Sequence, residues 1–554
     1  MGINSKAKNT SRIVAVGLDS ADFDLIQKWV NEGHLRVIAS LMSRGSWGKL
    51  NSTSDIGSGT VWPSFFTGTS PAKHGRLQQR RLKPGTYRIV DKPNANQIRK
   101  QPFWFQLSKA GRRIAVIDVP VTYPGYGLNG IQLVDWGAHG SSWHPDSWPP
   151  EVVKAVNSRF GQYPHGCLDI VSGYDDLDRM RKFYRELITG VEKKGLVSRY
   201  FLDQEDWDLF ITVFAEPHCA GHNLWHLMDK NDTVYDSELT KNFSNSIFNV
   251  YSSLDSEIGK LGIQDGDITF LIFSLEGMGP NHTGSHLLPE VLRRLGMSGY
   301  YHETKSDRTS LRCLESPVKK LLRLTPASLW GPSAVRNIRD ALPRTVLNTV
   351  ERFKKIVPRE KWNAWKSYLL TTGNDWRWSR AFCVPSDFHG AIRINRRGRE
   401  PAGLVEPGAE YESLCNELIQ ELSQLKNIDT GEKAISEVFR VDQIYEGEYI
   451  DELPDLIVKW AGEAPINGLY SQRIGTITGE NRHDRVGAHT PYGFLIAYGK
   501  HINKGKIHEG ANIMDIAPTI LYLMYQPIPR DMDGKVLLDL IDEEFRLKNP
   551  VRYI

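Results

Sequence analysis

Cysteine is scarce in this chain. The five present (Cys167, Cys219, Cys313, Cys383 and Cys415) are odd in number and widely scattered, and no CxxC occurs. That argues against a disulfide framework or a cysteine-based zinc site and fits a reducing cytoplasm. Long apolar runs are missing too. The longest, such as Ile268–Phe273, fall far short of the roughly 18–20 residues that cross a bilayer. The opening residues, Met1 to Ser11, are polar and carry Lys6 and Lys8, with no apolar stretch to act as a signal segment. Lys6 also stands where a myristoylation pattern needs Ser or Thr. No membrane attachment is expected. Nor is there an excess of one charge: 69 basic and 65 acidic residues leave +4. A nucleic-acid polymer is therefore not an expected partner, while an anionic small substrate is compatible.

What is present is a globular composition, 40% hydrophobic and 24% charged over 554 residues. That rules out a disordered or fibrous chain and suggests two to four structural units, or one large α/β domain with insertions. Short β-branched runs recur at Ile13–Leu18, Arg113–Val119, Leu209–Phe214, Ile268–Phe273, Leu456–Lys459 and Phe494–Ala497. Their apolarity is continuous rather than alternating, as expected of strands buried on both faces. Helical-period stretches lie between them, at Phe23–Arg44, Asp176–Val191 and Glu410–Leu425. The expected fold class is α/β, a mostly parallel central sheet covered by helices on both faces. Residues 301–370 read differently. They are rich in Lys and Arg, carry the helical pattern Val346–Val357 and hold no central strand. They are expected to form a helical insertion, either a lid or a peripheral decoration.

In open α/β sheets, ligands sit beyond the carboxyl ends of the strands. The polar residues after each apolar run are therefore the first candidates. Asp19 follows the first run, His218 and His222 follow Leu209–Phe214, and Glu276 follows Ile268–Phe273. His489 lies shortly before Phe494–Ala497. His218 and His222 are the sharpest local signal, because Pro217 suits a first helical turn and a four-residue spacing places both imidazoles on one helical face. They either ligate a divalent ion or simply cap and pack a helix start. Asp19, Glu276 and His489 are individually weak signals: each alone is as readily a helix cap, a surface group or a satisfied loop residue. Trp62, Trp104, Trp136 and Trp143 can stack on a base or sugar, although most of the 15 tryptophans are expected to be packing. Arg80 and Arg81 are read as a solvated face rather than a phosphate clamp.

Together these motifs resemble the type I phosphodiesterase/nucleotide pyrophosphatase family of the alkaline phosphatase superfamily. Gly17-Leu18-Asp19-Ser20-Ala21-Asp22 resembles the family's first strand and metal aspartate. Ser58 through Gly68, running on to Pro71-Ala72-Lys73-His74-Gly75, resembles its nucleophile segment. The family's Thr or Ser nucleophile lies four residues before a Trp, which here points to Ser58, with Thr60 as runner-up. Further family-like stretches are Asn395–Glu400, Leu453–Leu456, Asp515–Thr519 and Met532–Gly534. The resemblance implies a hydrolase core over residues 1–300 and 371–554, hydrolysing a small phosphodiester or nucleotide pyrophosphate through a covalent Ser/Thr phospho-enzyme.

It also implies one or two divalent ions, zinc first and manganese or magnesium as alternatives. One ion would sit on His218, His222 and His489, the other on Asp19, the Ser58 oxygen and Glu276. The chain departs from the family pattern twice. His218 stands where the family has Asp, and Leu275-Glu276 replaces an Asp-His pair, so a carboxylate ligand is lost outright at Leu275. That loss keeps a second class in view, a non-catalytic or altered-metal member binding an anionic ligand or partner. A sulfate-ester or phosphonate hydrolase ranks lower; against the sulfatase, Ser58–Trp62 lacks the Pro and Arg of the maturation motif.

Overall fold

The computed structural model describes residues 11–77, 80–91, 98–137, 144–164, 177–229, 238–262, 267–300, 374–386, 388–479, 485–507 and 509–554. The expected insertion at 301–370 and Trp143 lie outside these residues. The chain divides into two compact units, one of Met1–Leu77, Pro93–Asn281 and Asp484–Ile554, the other of Gln78–Lys92 and His282–His483.

The first unit is built on a nine-stranded sheet. Its strands are β1 (Arg12–Leu18), β2 (Ser46–Asn51), β3 (Ile114–Ile117), β4 (Gly130–Val134), β5 (Asp146–Trp148), β6 (Leu209–Phe214), β7 (Ile268–Ser274), β8 (Tyr492–Gly499) and β9 (Gly505–Lys506). Their spatial order is β9-β2-β8-β7-β1-β6-β3-β4-β5. The central run β7-β1-β6-β3-β4 is parallel, while β8 and β5 run against their neighbours β7 and β4. The α/β class expected from the uninterrupted apolar runs is therefore present. β1 shows why those runs are uninterrupted. Val14, Val16 and Leu18 enter one core and Ile13 and Ala15 the other. Each such fully buried aliphatic side chain contributes roughly 1.5–3 kcal/mol.

Helices cover both faces. One core takes α1 (Phe23–Asn31), α2 (Arg36–Arg44), α4 (Leu177–Gln204), α5 (Glu216–Leu224) and α6 (Ser246–Gly259). The other takes α3 (Val61–Thr67) and α7 (Ile516–Leu523). The single helix expected over Phe23–Arg44 is in fact two. Gly33, at φ 82°, adopts the left-handed conformation that closes a helix just past its last turn. Asp22 caps α1 by accepting from the Leu25 N–H at 2.9 Å.

The second unit holds a four-stranded antiparallel sheet of Ala381–Val384, Gly390–Ile394, Leu456–Trp460 and Ile435–Arg440. Leu456–Lys459 was expected to join the parallel sheet. It belongs here instead, because burial on both faces says nothing about which sheet a strand enters. The family-like stretches Asn395–Glu400 and Leu453–Leu456 meet in a buried ion network. Arg399 Nη2 lies 2.6 Å from Asp455 Oδ2, and Arg393 Nε lies 2.6 Å from Glu400 Oε1. These residues therefore hold this unit together. Arg81, expected on a solvated face, is also held in this unit, 3.2 Å from Glu452 with 11% of its side chain exposed.

Candidate metal and nucleophile site

Parallel pairing sets the geometry. β1 lies between β6 and β7 in a register that aligns Leu18 with Phe214 and Gly17 with Phe273. The Asp19 N–H continues the ladder to the Phe214 carbonyl at 2.9 Å. The residues that leave these three strands therefore emerge side by side at the carboxyl edge, as open α/β sheets require of a ligand site. Ser20, Asp118 and Asp135 follow β1, β3 and β4 along this edge, and each has a φ near 53°, a conformation that a non-glycine residue rarely adopts. Backbone strain of this kind gathers at functional edges.

The strand β6 turns directly into α5, with Pro217 in its first turn. The four-residue spacing then brings the His218 and His222 ring centroids to 4.4 Å. His489 joins them from the short strand Gly487–Thr490, which pairs antiparallel with Gly277–Pro280. Its ring centroid lies 5.1 Å from that of His218 and 4.7 Å from that of His222. One ligand nitrogen from each of the three lies within 4.8 Å of the others, and all three side chains are buried. Among the described residues this is the one such cluster of potential metal ligands.

His222 shows how the rings are aimed. Its Nδ1 lies 2.8 Å from the Gly487 carbonyl oxygen, an acceptor that fixes the proton on Nδ1 and leaves Nε2 as a lone-pair donor. Gly487 is needed for that approach, because a Cβ there would come within 2.2 Å of the Gly221 carbonyl oxygen. His489 Nδ1 lies 3.4 Å from Glu276 Oε1. Glu276 Oε1 also accepts from the Ser20 hydroxyl at 3.3 Å. Three neutral imidazoles in one buried cluster suit zinc or a similar divalent cation, so the residues present fit the metal that the sequence motifs imply.

The segment that resembles the family's nucleophile segment lies against the other core. Ser58 opens a 3-10 turn, Ser58–Thr60, that runs straight into α3. Trp62, one turn on, donates from its indole nitrogen to Asp19 Oδ1 at 3.0 Å, so segment and aspartate are tied together. Trp62, Trp104 and Trp136 are all buried in the cores, in keeping with the expectation that most tryptophans are packing. Thr60 is fully buried, with its hydroxyl 2.7 Å from the Gly57 carbonyl and 2.9 Å from that of Thr53. Behind it, Thr53 Oγ1 contacts Ser64 Oγ at 3.2 Å, and Ser64 Oγ lies 3.1 Å from His74 Nε2. The Arg76 N–H donates to His74 Nδ1 at 3.0 Å, so the ring proton is on Nε2 and is given to Ser64. Burial, with the charges of Arg76 and Lys100, pushes His74 down to about 3 and keeps it neutral. The C-terminal family-like stretches brace the far end of α3. The Asp533 and Gly534 N–H groups donate to the Gly68 carbonyl, and Asp533 Oδ2 accepts from the Ser70 N–H at 2.8 Å.

Buried polar residues that the sequence motifs did not single out gather around the start of α5. Glu216, wholly buried, bonds to the Tyr163 hydroxyl. Burial pushes its carboxyl up to about 7, against the lowering effects of Lys194 and Tyr163. Lys194, also wholly buried, pairs with Asp118. Asp118 further accepts from the Trp136 and Gly137 N–H groups at 2.8 and 2.9 Å. Asp118 was reachable from the sequence as the residue ending a strand run. Lys194, in the middle of a long helix, gave no signal.

With this geometry in hand, comparison with known proteins is decisive on one point. Residues 13–328 match the model of the type I phosphodiesterase / nucleotide pyrophosphatase family. The chain belongs to this family. Its structure is similar to that of phosphonoacetate hydrolase from Sinorhizobium meliloti 1021 in complex with phosphonoformate (TM-score 0.48, 11% identity, 94% of this chain and 98% of that chain covered). It is also similar to human ectonucleotide pyrophosphatase / phosphodiesterase 5 (TM-score 0.44, 9% identity, 96% and 100% covered). No curated protein sequence matches it. Family membership supports a phosphoric-ester hydrolase of the alkaline phosphatase superfamily. Among the described residues, no helix is long and apolar enough to cross a membrane.

Proposed function

We propose that this family member is a metal-dependent hydrolase of a small phosphodiester or nucleotide pyrophosphate, working through a covalent phosphoserine at Ser58. The observation that carries the reading is the convergence of His218, His222 and His489 at the sheet edge where Asp19 and the nucleophile segment also end. A divalent ion held on those three imidazoles supplies positive charge for the non-bridging phosphoryl oxygens and the leaving oxygen. Zinc suits the imidazole set best, and manganese or magnesium would draw more on carboxylate oxygen.

The chain's own residues do the rest. Ser58 Oγ attacks phosphorus, an O–P bond forms as the bond to the leaving oxygen breaks, and the hydroxyl proton ends on the leaving group. Water then cleaves the phosphoserine and restores the hydroxyl. The 3-10 turn presents Ser58, while Thr60, with its hydroxyl committed to two backbone carbonyls, stabilises that turn from beneath. Glu276, anchored by Ser20, places a carboxylate 3.4 Å from His489, and Asp19, anchored by Trp62, stands at the end of the neighbouring strand β1. The free thiols of Cys219, Cys383 and Cys415 fit a reducing cytoplasm.

The test is Ser58→Ala, assayed on a chromogenic phosphodiester with metal content measured in parallel. Turnover is expected to vanish while the ion bound to the three histidines remains. Unchanged turnover in that variant would remove Ser58 from the mechanism. Wild-type protein that binds metal yet hydrolyses no phosphodiester or nucleotide pyrophosphate would favour a ligand-binding role.

A further inference from the structure

We infer that His74 is a positioning residue for the reaction: through Ser64, Thr53 and Thr60 it holds the backbone turn that presents Ser58. The inference rests on the proposed reading of Ser58 as the nucleophile.

The contacts form one unbroken chain behind that turn. The His74 Nε2–H donates to Ser64 Oγ at 3.1 Å, and Ser64 Oγ meets Thr53 Oγ1 at 3.2 Å. Thr53 Oγ1 meets Thr60 Oγ1 at 2.8 Å. The Thr60 hydroxyl in turn lies 2.7 Å from the carbonyl oxygen of Gly57, the residue before Ser58. The Thr60 N–H donates to the same carbonyl at 3.0 Å and closes the turn. The chain of contacts therefore ends on the peptide group that joins Gly57 to Ser58. At its other end the histidine is itself fixed. It is the last residue of the single helical turn Pro71–His74. Its Nδ1 accepts from the Arg76 N–H at 3.0 Å, and its carbonyl oxygen accepts from the Arg99 N–H at 3.2 Å.

Burial shows what this arrangement does. His74, Ser64, Thr53 and Thr60 are each wholly buried. Every polar side-chain atom among them has a partner within the chain. Ser64 sits in the middle of α3 next to Phe65 and Phe66, where a small apolar side chain would escape the desolvation of a hydroxyl. A fully satisfied buried polar network rigidifies its members and specifies one arrangement of them. Here the arrangement specified is the turn at Ser58, and a shift of about 1 Å in a reacting group costs on the order of 100-fold in rate. His74 moves no proton in this role. Burial and the charges of Arg76 and Lys100 hold it neutral, at about 3, so the Nε2–H is present throughout the ordinary assay range.

The experiment uses isosteres that separate the ring nitrogens. His74→Gln keeps an N–H where Nε2 stands and loses the acceptor for Arg76. His74→Asn keeps that acceptor and falls short of Ser64. For each full-length variant, kcat and KM are measured on bis(p-nitrophenyl) phosphate, with bound zinc and melting temperature followed in parallel. His74→Asn is expected to lose about 100-fold in kcat with KM and zinc content unchanged, and His74→Gln to stay within about threefold of wild type. Ser64→Ala cuts the chain one step nearer to Ser58 and is expected to fall with His74→Asn; it decides the matter if a His74 variant does not fold. Turnover kept in His74→Asn, equal loss in both His74 variants, or wild-type kcat in Ser64→Ala would overturn the inference while leaving Ser58 as the nucleophile. Full turnover in Ser58→Ala, or none in the wild type, would remove that reading and the inference together.

Discussion

Replacing Glu216 by Gln should make the first unit more stable at alkaline pH and much less so near pH 5. Burial raises the Glu216 carboxyl from 4.5 to about 7. Between those two values the folded chain keeps a proton that the unfolded chain has lost. The folded state therefore binds more protons there, and stability falls as pH rises through the window. At about 1.4 kcal/mol per tenfold in proton affinity, the gap amounts to roughly 3 kcal/mol above pH 7. Gln cannot ionise, and its carbonyl oxygen still accepts from the Tyr163 hydroxyl, so the variant escapes that cost. For a unit of roughly 340 residues, an unfolding entropy of about 2.1 cal/mol/K per residue converts the gain to about 4 °C. The assay is differential scanning calorimetry of both proteins with chelator present, at pH 5 and pH 8. A rise in melting temperature of about 4 °C at pH 8 that shrinks to about 1 °C at pH 5 is expected. An equal difference at both pH values would refute the assignment of the cost to a buried carboxylate.

Two further outcomes follow from the same packing. Lys194→Met removes the partner of a wholly buried Asp118, which at roughly 3–5 kcal/mol for breaking a buried pair should lower melting by about 4–7 °C in the same calorimetry. Thr60→Val takes a buried hydroxyl away from two carbonyls, and should cost about 1–3 kcal/mol while retaining measurable phosphodiester turnover. Turnover lost in Thr60→Val to the level of Ser58→Ala would make Thr60 the nucleophile.

Much of this molecule is written in local pattern. Apolar runs without alternation marked β1, β3, β6, β7 and β8, because strands buried on both faces need apolar side chains on both. The His218/His222 pair was legible because a helical spacing of four fixes which side chains share a face. The order of the motifs along the chain already points to the family. Three features depended on tertiary structure. The strand Leu456–Trp460 entered an antiparallel sheet in a different unit, although its run looks like the others. Glu276 turned out to face His489, which lies 213 residues away, at 3.4 Å. Lys194 found its counter-charge in Asp118 from the middle of a helix whose own pattern predicts only packing. Periodicity along a chain reports how deeply each residue is buried. Which distant partner it meets is set by strand order and register, and those arise only when the segments assemble.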